Sequence, residues 1–358
     1  MSGPASKAYS SAVARGQIEE DPAQRAVMSA LDELALALSK PTASWLGLSF
    51  GKPKAARGLY LWGSVGRGKT LLTELFLQSL SGVAYQRWHF HRFMNDIHRQ
   101  LATLSDTADT LSVVAKRVAR DCRLLVLDEF FVADIGDAMI LYRLLEQLNA
   151  HGVSLIATSN VPPDALYLNG LQRDSFLPCI ALIKRECDVL ELMSAQDYRL
   201  RTLSHAATYT TPNDEASRQL LAHQFMQLSG EMPKPEDIEI NERRIPALAV
   251  HGGIAWFAFS ALCEGPRSAA DYIEIARDFH TVLISDVPRF DGNSDDAARR
   301  FVYLIDELYD RHVNVLLSAQ ADAMSLYQGH RLQREFERTS SRLVEMQSNQ
   351  YLALEHRP

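Results

Sequence analysis

The residues best equipped for chemistry in this chain form one short run, Gly63-Ser64-Val65-Gly66-Arg67-Gly68-Lys69-Thr70. The run satisfies G-x-x-x-x-G-K-[ST] at every fixed position, and each fixed residue has a physical task. The glycines let the backbone curl so that its N–H groups converge on phosphate oxygens. The positive end of the following helix dipole favours an anion. Lys69 brings a point charge to the β- and γ-phosphates, and the Thr70 hydroxyl is a ligand for Mg²⁺. The expected ligand is ATP with Mg²⁺, held by Gly63 through Thr70. A chance glycine loop is disfavoured by its setting. Apolar Leu59 to Trp62 reads as a strand before it, and the stretch to Leu77 reads as an amphipathic helix after it.

A second constellation matches the first. Leu124 to Leu127 is a continuous apolar run, suited to a strand buried on both faces of a parallel sheet, and it ends in Asp128-Glu129. Acidic residues at the carboxyl end of such a strand face the crevice where α/β sheets bind ligands. Asp128 is expected to hold the Mg²⁺ through its waters, and Glu129 to polarise the attacking water as a general base. The next buried strand, Val153 to Asn160, ends in an amide. Asn160 can orient the catalytic water between the γ-phosphate and Glu129. The competing reading is a turn-capping Asn ahead of Pro162-Pro163.

These residues need a scaffold, and the pattern around them predicts one. The fold class is α/β, a P-loop core with a parallel sheet and helices on both faces, followed by a C-terminal α/β region. Residues 1–54 read as an N-terminal helical extension, 55–201 as the core, and 202–358 as the C-terminal region. Within the extension, residues 1–24 look loose or extended and Gln24 to Leu38 is helical, with Asp21-Pro22 as its start signal. A basic cluster follows (Lys52, Lys54, Arg57), read as a solvated loop in preference to a contact with phosphate or a neighbour. Gln86 to Phe93, QRWHFHRF, alternates, which places His89 and His91 on one face of a strand, with His98 on a later helix. No third metal ligand has clear spacing, so a structural or phosphate-proximal role is favoured over zinc. Helices are expected over Leu111 to Arg120 and Asp137 to Leu148, and a strand over Val189 to Leu192.

Composition sets the bounds. The 358 residues suffice for two domains with cores, and 47% apolar with 23% charged residues is ordinary for a globular chain. A net charge of −7 argues against a dominant nucleic-acid surface. Cys122, Cys179, Cys187 and Cys263 show no metal or redox spacing and suit a reducing cytosol. Ile245 to Cys263 lacks Asp, Glu, Lys and Arg and approaches the spanning length of about 20 residues. Pro246 and His251-Gly252-Gly253 instead predict two strands joined by a glycine turn.

The second half echoes the first. Thr281 to Asp286, a helix over Asp295 to His312, and Val313 to Ala319 follow the order of the Asp128 strand, its helix and the Asn160 strand. Asp128 to Asn160 spans 32 positions and Asp286 to Gln320 spans 34, with Val287 standing where Glu129 would. A degenerate repeat without a glycine loop is one reading; a coincidence of strand-helix-strand order is the other. Leu332 to Leu352 reads as one charged amphipathic helix.

The segments HFHRFM, DEFFVADIGDAM, ATSNVPPDALYLNGLQRDSFLP, HTVLISDVP and RLVEMQSNQYL resemble the ZapE-type cell-division ATPases, bacterial AAA+ proteins related to the mitochondrial AFG1-like ATPases. The resemblance runs from about Tyr9 to the tail. It implies an ATPase acting at the bacterial division site with the tubulin-like Z-ring protein, while mitochondrial relatives are implied to serve quality control of respiratory proteins. It implies a homo-oligomeric ring, such as a hexamer, in the cytoplasm at the division site or the inner face of the membrane, with no stable nucleic-acid partner. In this class an arginine from the next subunit commonly completes the site. Arg173, 13 residues after Asn160, matches that placement, with Lys184 and Arg185 as rivals and a surface or core-capping arginine paired with Asp174 or a neighbouring acid as the alternative reading. Arg299 and Arg300 both stand where the second sensor could lie. Two other functions share the same core: a nucleic-acid motor or loader, and a nucleotide-gated scaffold with negligible turnover.

Overall fold

The computed structural model describes the chain apart from residues 1–2, 17, 41–43, 46–47, 50–53, 65, 105–108, 133, 194–202, 204–205, 242, 293–294 and 358. It divides into two compact units, Met1–Gln196 and Asp197–Pro358.

The first unit is built on five parallel strands: β1 (Gly58–Trp62), β2 (Tyr85–His89), β3 (Leu124–Asp128), β4 (Ser154–Ser159) and β5 (Cys187–Glu191), in the spatial order β2-β3-β4-β1-β5. Successive side chains of a strand point to opposite faces, so a buried sheet needs two apolar layers. Leu125, Leu127, Ala157 and Tyr60 face one layer, made by α4 (Phe90–Ala102), α5 (Thr110–Asp121), α6 (Ile135–Ala150) and α7 (Leu177–Glu186). Leu124, Val126, Leu59, Leu61 and Ile156 face the other, made by α1 (Pro4–Ala14), α2 (Pro22–Ser39) and α3 (Lys69–Ser79). All five residues of β3 are buried.

Several local expectations change. Residues 4–14 are helical, not extended. Pro4 sits in the first turn of α1, and Asp32 of α2 caps that turn from 27 residues away, accepting from Ala5 N–H at 2.7 Å and Gly3 N–H at 3.0 Å. Such a cap is invisible to local pattern. β2 stops at His89 and α4 begins at Phe90, so His89 and His91 do not share a strand face. Phe90, Phe93, Met94 and Ile97 repeat at helical spacing and bury together, which overrides the short alternation before them. The tail is two helices, α12 (Gln333–Glu345) and α13 (Asn349–Leu352), because Ser348 caps a new start by accepting from Tyr351 N–H. Arg57 makes the contact with a neighbour while its side chain stays 54% exposed. Its Nε lies 2.5 Å from Asp188, and Nη1 donates to the Arg185 carbonyl at 2.7 Å, which ties β1 to the start of β5. Lys52 lies outside the described residues.

The second unit is a mixed α/β region. Its five-stranded sheet runs β9 (Ala249–His251), β10 (Ile254–Ala258), β11 (Thr281–Val287), β12 (Asn314–Ala319), β6 (Tyr209–Thr210). β9 and β10 are the expected antiparallel pair, turning at Gly252 and Gly253 with φ of 55° and 80°. That two-residue turn requires positive φ at both positions. No helix among the described residues is long and apolar enough to cross a membrane. A hairpin of β7 (Glu236–Ile240) and β8 (Arg243–Ala247) packs on the core with α9 (Phe259–Cys263), α10 (Ala269–Asp278), α11 (Asp295–Asp310) and α12. α8 (Glu215–Ser229) covers the opposite face through Leu221 and Phe225. β11 and β12 are parallel neighbours joined through α11. Asp286 has φ of 65°, and its N–H donates to Ser318 Oγ on β12. In the first unit that geometry belongs to Glu129, not Asp128, so the two halves register one residue away from their sequence spacing.

Candidate nucleotide site

The site forms where the parallel strands end. Trp62 pairs with Ser159, and Leu127 with Ala157, which brings the residues after β1, β3 and β4 to one edge of the sheet.

After β1 the chain turns through Gly63, Gly66 and Gly68, with φ of 152°, 78° and 95°. A Cβ at Gly63 would stand 2.7 Å from the Leu192 carbonyl oxygen, and one at Gly68 would stand 2.9 Å from Gln24 Nε2. Glycine is therefore required at Gly63 by both conformation and the backbone oxygen, and at Gly68 by conformation, since the Gln24 amide is a side-chain end that can move. Gly68 is the N-cap of α3, whose first N–H groups have no intrahelical acceptor. Lys69 Nζ donates to the carbonyls of Gly63 (2.6 Å) and Ser64 (2.9 Å) and to Asn160 Oδ1 (3.0 Å). Lys69 and Asn160, 91 residues apart, meet directly. Thr70 follows on α3, partly exposed, and Arg67 is partly exposed in the loop. Val65 lies outside the described residues.

Asp128 ends β3 with its side chain 7% exposed. Its Oδ1 accepts from Thr158 Oγ1 at 3.0 Å, and Oδ2 accepts from Arg87 Nε at 2.6 Å. Glu129 takes φ of 54°, a conformation uncommon for a side-chain-bearing residue. Two bonds to β4 hold it: Glu129 N–H donates to Thr158 Oγ1 at 3.3 Å, and Phe130 N–H donates to the Thr158 carbonyl at 2.7 Å. His89 Nδ1 stands 3.7 Å from Glu129 Oε2. Tyr60 donates to the Val161 carbonyl at 3.0 Å, bracing the turn after Asn160, and burial raises its phenol pKa.

Three supporting residues went unread in the sequence. Gln24 of α2 is buried, and its Nε2 donates to the Arg67 carbonyl at 3.1 Å. Nothing local signals this contact across 43 positions. Thr158 and Arg87 sit inside apparently apolar or alternating strands. A charged residue facing inward from β2 was the available signal for Arg87.

Arg173 begins a short 3₁₀ turn, and its Nη2 donates to the Asp164 carbonyl at 2.6 Å. Its Nε is buried with no hydrogen-bond partner among the described residues, and no pair with Asp174 occurs among them. Of its rivals, Lys184 is 2.8 Å from Asp164 and Arg185 is 2.6 Å from Glu186. Arg300 donates to the Cys263 carbonyl at 2.9 Å inside the second unit.

The residues present fit a magnesium nucleotide. The glycine cradle leaves no room for a Cβ at Gly63 and takes positive φ at Gly63, Gly66 and Gly68, and the Thr70 hydroxyl and Asp128 carboxylate are the hard oxygen donors Mg²⁺ takes.

The model of the AFG1-like ATPase family matches residues 4–355. The Escherichia coli K12 cell division protein ZapE is 46% identical over 306 residues, covering 85% of this chain and 82% of that one. The Danio rerio lactation elevated protein 1 homolog B is 35% identical over 347 residues, covering 84% of this chain and 69% of that one. Among solved structures, AMPPCP-bound DnaA from Aquifex aeolicus aligns at 15% identity and a TM-score of 0.37, over 52% of this chain and 51% of that one. With a family model spanning nearly its whole length and relatives well above 30% identity over most of theirs, the chain belongs to the AFG1-like ATPases.

Proposed function

We propose that this ATPase spends its hydrolysis on remodelling or destabilising a protein partner, and that the partner is the tubulin-like protein of the division ring. The observation that carries the enzymatic part is the meeting of Lys69 and Asn160 beside the Asp128–Glu129 pair. The partner rests on the 46% identity to a protein named for cell division. When bound, Mg²⁺·ATP supplies the phosphoanhydride to be cleaved and the charge that must be stabilised.

Each residue then has a task. The loop from Gly63 to Gly68 offers backbone donors to the phosphates, and Lys69 turns from the loop carbonyls towards them. Thr70 would hold the metal through its hydroxyl, and Asp128 would hold it through the metal's waters. Glu129, kept in its left-handed conformation by Thr158, takes a proton from water, and Asn160 positions that water. Arg173 reaches the site of a neighbouring subunit in a ring. Its guanidinium is always charged and can place several donors on one phosphate. Such a ring would act on the cytoplasmic side of the membrane at the division site.

The experiment is sedimentation of filaments of the purified tubulin-like protein with this ATPase. Wild type with ATP should reduce the pelleted filament, while Glu129→Gln should bind filaments in ATP without dissolving them. Filaments indifferent to both proteins would reject this partner. A steep fall of DNA affinity with salt, the signature of phosphate contacts, would favour the nucleic-acid motor instead.

A further inference from the structure

We propose that Arg87 is a positioning residue that competes with the nucleotide's divalent cation for Asp128, and so sets how much magnesium the site needs. The inference rests on the nucleotide site described above. Arg87 projects from β2 with its side chain 25% exposed. Its Nε donates to Asp128 Oδ2 at 2.6 Å, and its Nη1 lies 3.8 Å from Glu74 of α3. The other Asp128 oxygen accepts from Thr158. A carboxylate this buried is costly without partners, and these two meet its needs. A hydrated cation using Asp128 must share or displace the guanidinium. Glu74 is the acid placed to take up Arg87 when it lets go. The same helix, α3, carries Thr70, so one of the two metal-side oxygens and the arginine's second acid sit on one element, while Asp128 sits on β3.

The test is binding of a fluorescent ATP analogue titrated with Mg²⁺, and again in EDTA. Arg87→Met keeps the apolar stem and removes the charge. Its half-maximal Mg²⁺ concentration should fall roughly tenfold, the effect of one unit charge removed at close range in a partly screened site. Affinity in EDTA should stay near wild type, whereas a purely structural role would weaken both. Arg87→Lys, which keeps the charge, should need nearly as much Mg²⁺ as wild type. Glu74→Gln should shift the requirement upwards, because Arg87 loses its alternative acid; this variant decides the matter if Arg87→Met does not fold. An unchanged or higher requirement in folded Arg87→Met overturns the proposal. Wild-type binding that ignores Mg²⁺ would overturn it together with the metal roles of Thr70 and Asp128, a separate signature.

A different observation carries a second inference: the Asp197–Pro358 unit repeats the nucleotide-binding fold with its crevice closed. The order β10-β11-β12-β6 matches β2-β3-β4-β1. Asp286 repeats the Glu129 geometry, with φ of 65° and an N–H donated to a hydroxyl on the next strand. Where β1 leads to α3 through the six residues 63–68, β6 leads to α8 through Thr211-Pro212-Asn213-Asp214, four residues without glycine. Arg218 of α8 then places Nη2 at 3.1 and 3.0 Å from the two Asp286 oxygens. A carboxylate so paired is engaged as an ion pair, not as a base. Equilibrium dialysis with labelled ATP should find one nucleotide per chain in wild type and none in Lys69→Ala. Nucleotide retained by folded Lys69→Ala would overturn the closed crevice.

Discussion

At the scale of single residues, the site depends on a few contacts that bridge distant parts of the chain. Thr158 is one, since its hydroxyl donates to Asp128 and accepts from Glu129 N–H, aligning both acids at once. Glu129 is the residue whose loss should be most specific. Glu129→Gln preserves size and should leave ATP affinity intact while slowing phosphate release by about 10²–10⁴-fold, the usual worth of a placed general base. Turnover within a few-fold of wild type would show that another group activates the water. The identities of Lys69, Asp128, Glu129 and Asn160 were legible because strand ends and a glycine loop leave local marks. Arg87 and Thr158 were not, because their value lies in what stands opposite them on the neighbouring strand.

At the scale of elements, α2 supports the phosphate loop in a way the loop's own motif conceals. Gln24 of α2 binds the Arg67 carbonyl, so this helix braces the turn into α3. Gln24→Ala should remove one hydrogen bond, worth about 0.5–1.5 kcal/mol, and weaken ATP binding by up to roughly tenfold, with turnover at saturation little changed. Unaltered affinity in a direct titration would show that the loop holds its shape unaided. Asp32, capping α1 from α2, makes a separate prediction. Asp32→Ala should cost about 0.5–2 kcal/mol by denaturant unfolding and speed amide exchange across residues 4–14. If exchange there does not change, the cap is not what orders α1. The α2 helix was readable from its apolar spacing and Asp21-Pro22 start, whereas α1 was not, because its cap is supplied from outside its own segment.

At the scale of the whole molecule, the assignment of Arg173 requires a second copy of the chain. Arg173→Ala and Lys69→Ala subunits should each be nearly inactive, by about 10³–10⁵-fold if Arg173 acts as a finger. Mixed together, they should recover part of the activity, because an intact Lys69 site can then face an intact Arg173. Mixed oligomers without recovery, or normal hydrolysis by Arg173→Ala alone, would remove Arg173 from the mechanism. A surface ion pair would be worth at most about 1 kcal/mol and would not produce either result.

By itself the sequence determined the α/β class and the placement of Lys69, Asp128, Glu129 and Asn160 at the strand ends, because a glycine loop, buried apolar runs and terminal acids are encoded by neighbours in the chain. It also determined the Gly252-Gly253 hairpin, since that turn needs two residues tolerant of positive φ. Only the tertiary structure decided that His91 is helical, that the tail is two helices, and that Asp286 corresponds to Glu129 and not to Asp128. The physical reason is burial or a partner brought from elsewhere in the fold, joined in the tail by the local Ser348 cap. Where local spacing allows two readings, the choice falls to the partner across the packing: the buried face of Phe90, Phe93, Met94 and Ile97 in the first case, the burial of Tyr351 and Leu352 after the Ser348 restart in the second, and the Ser318 hydroxyl on the adjacent strand in the third.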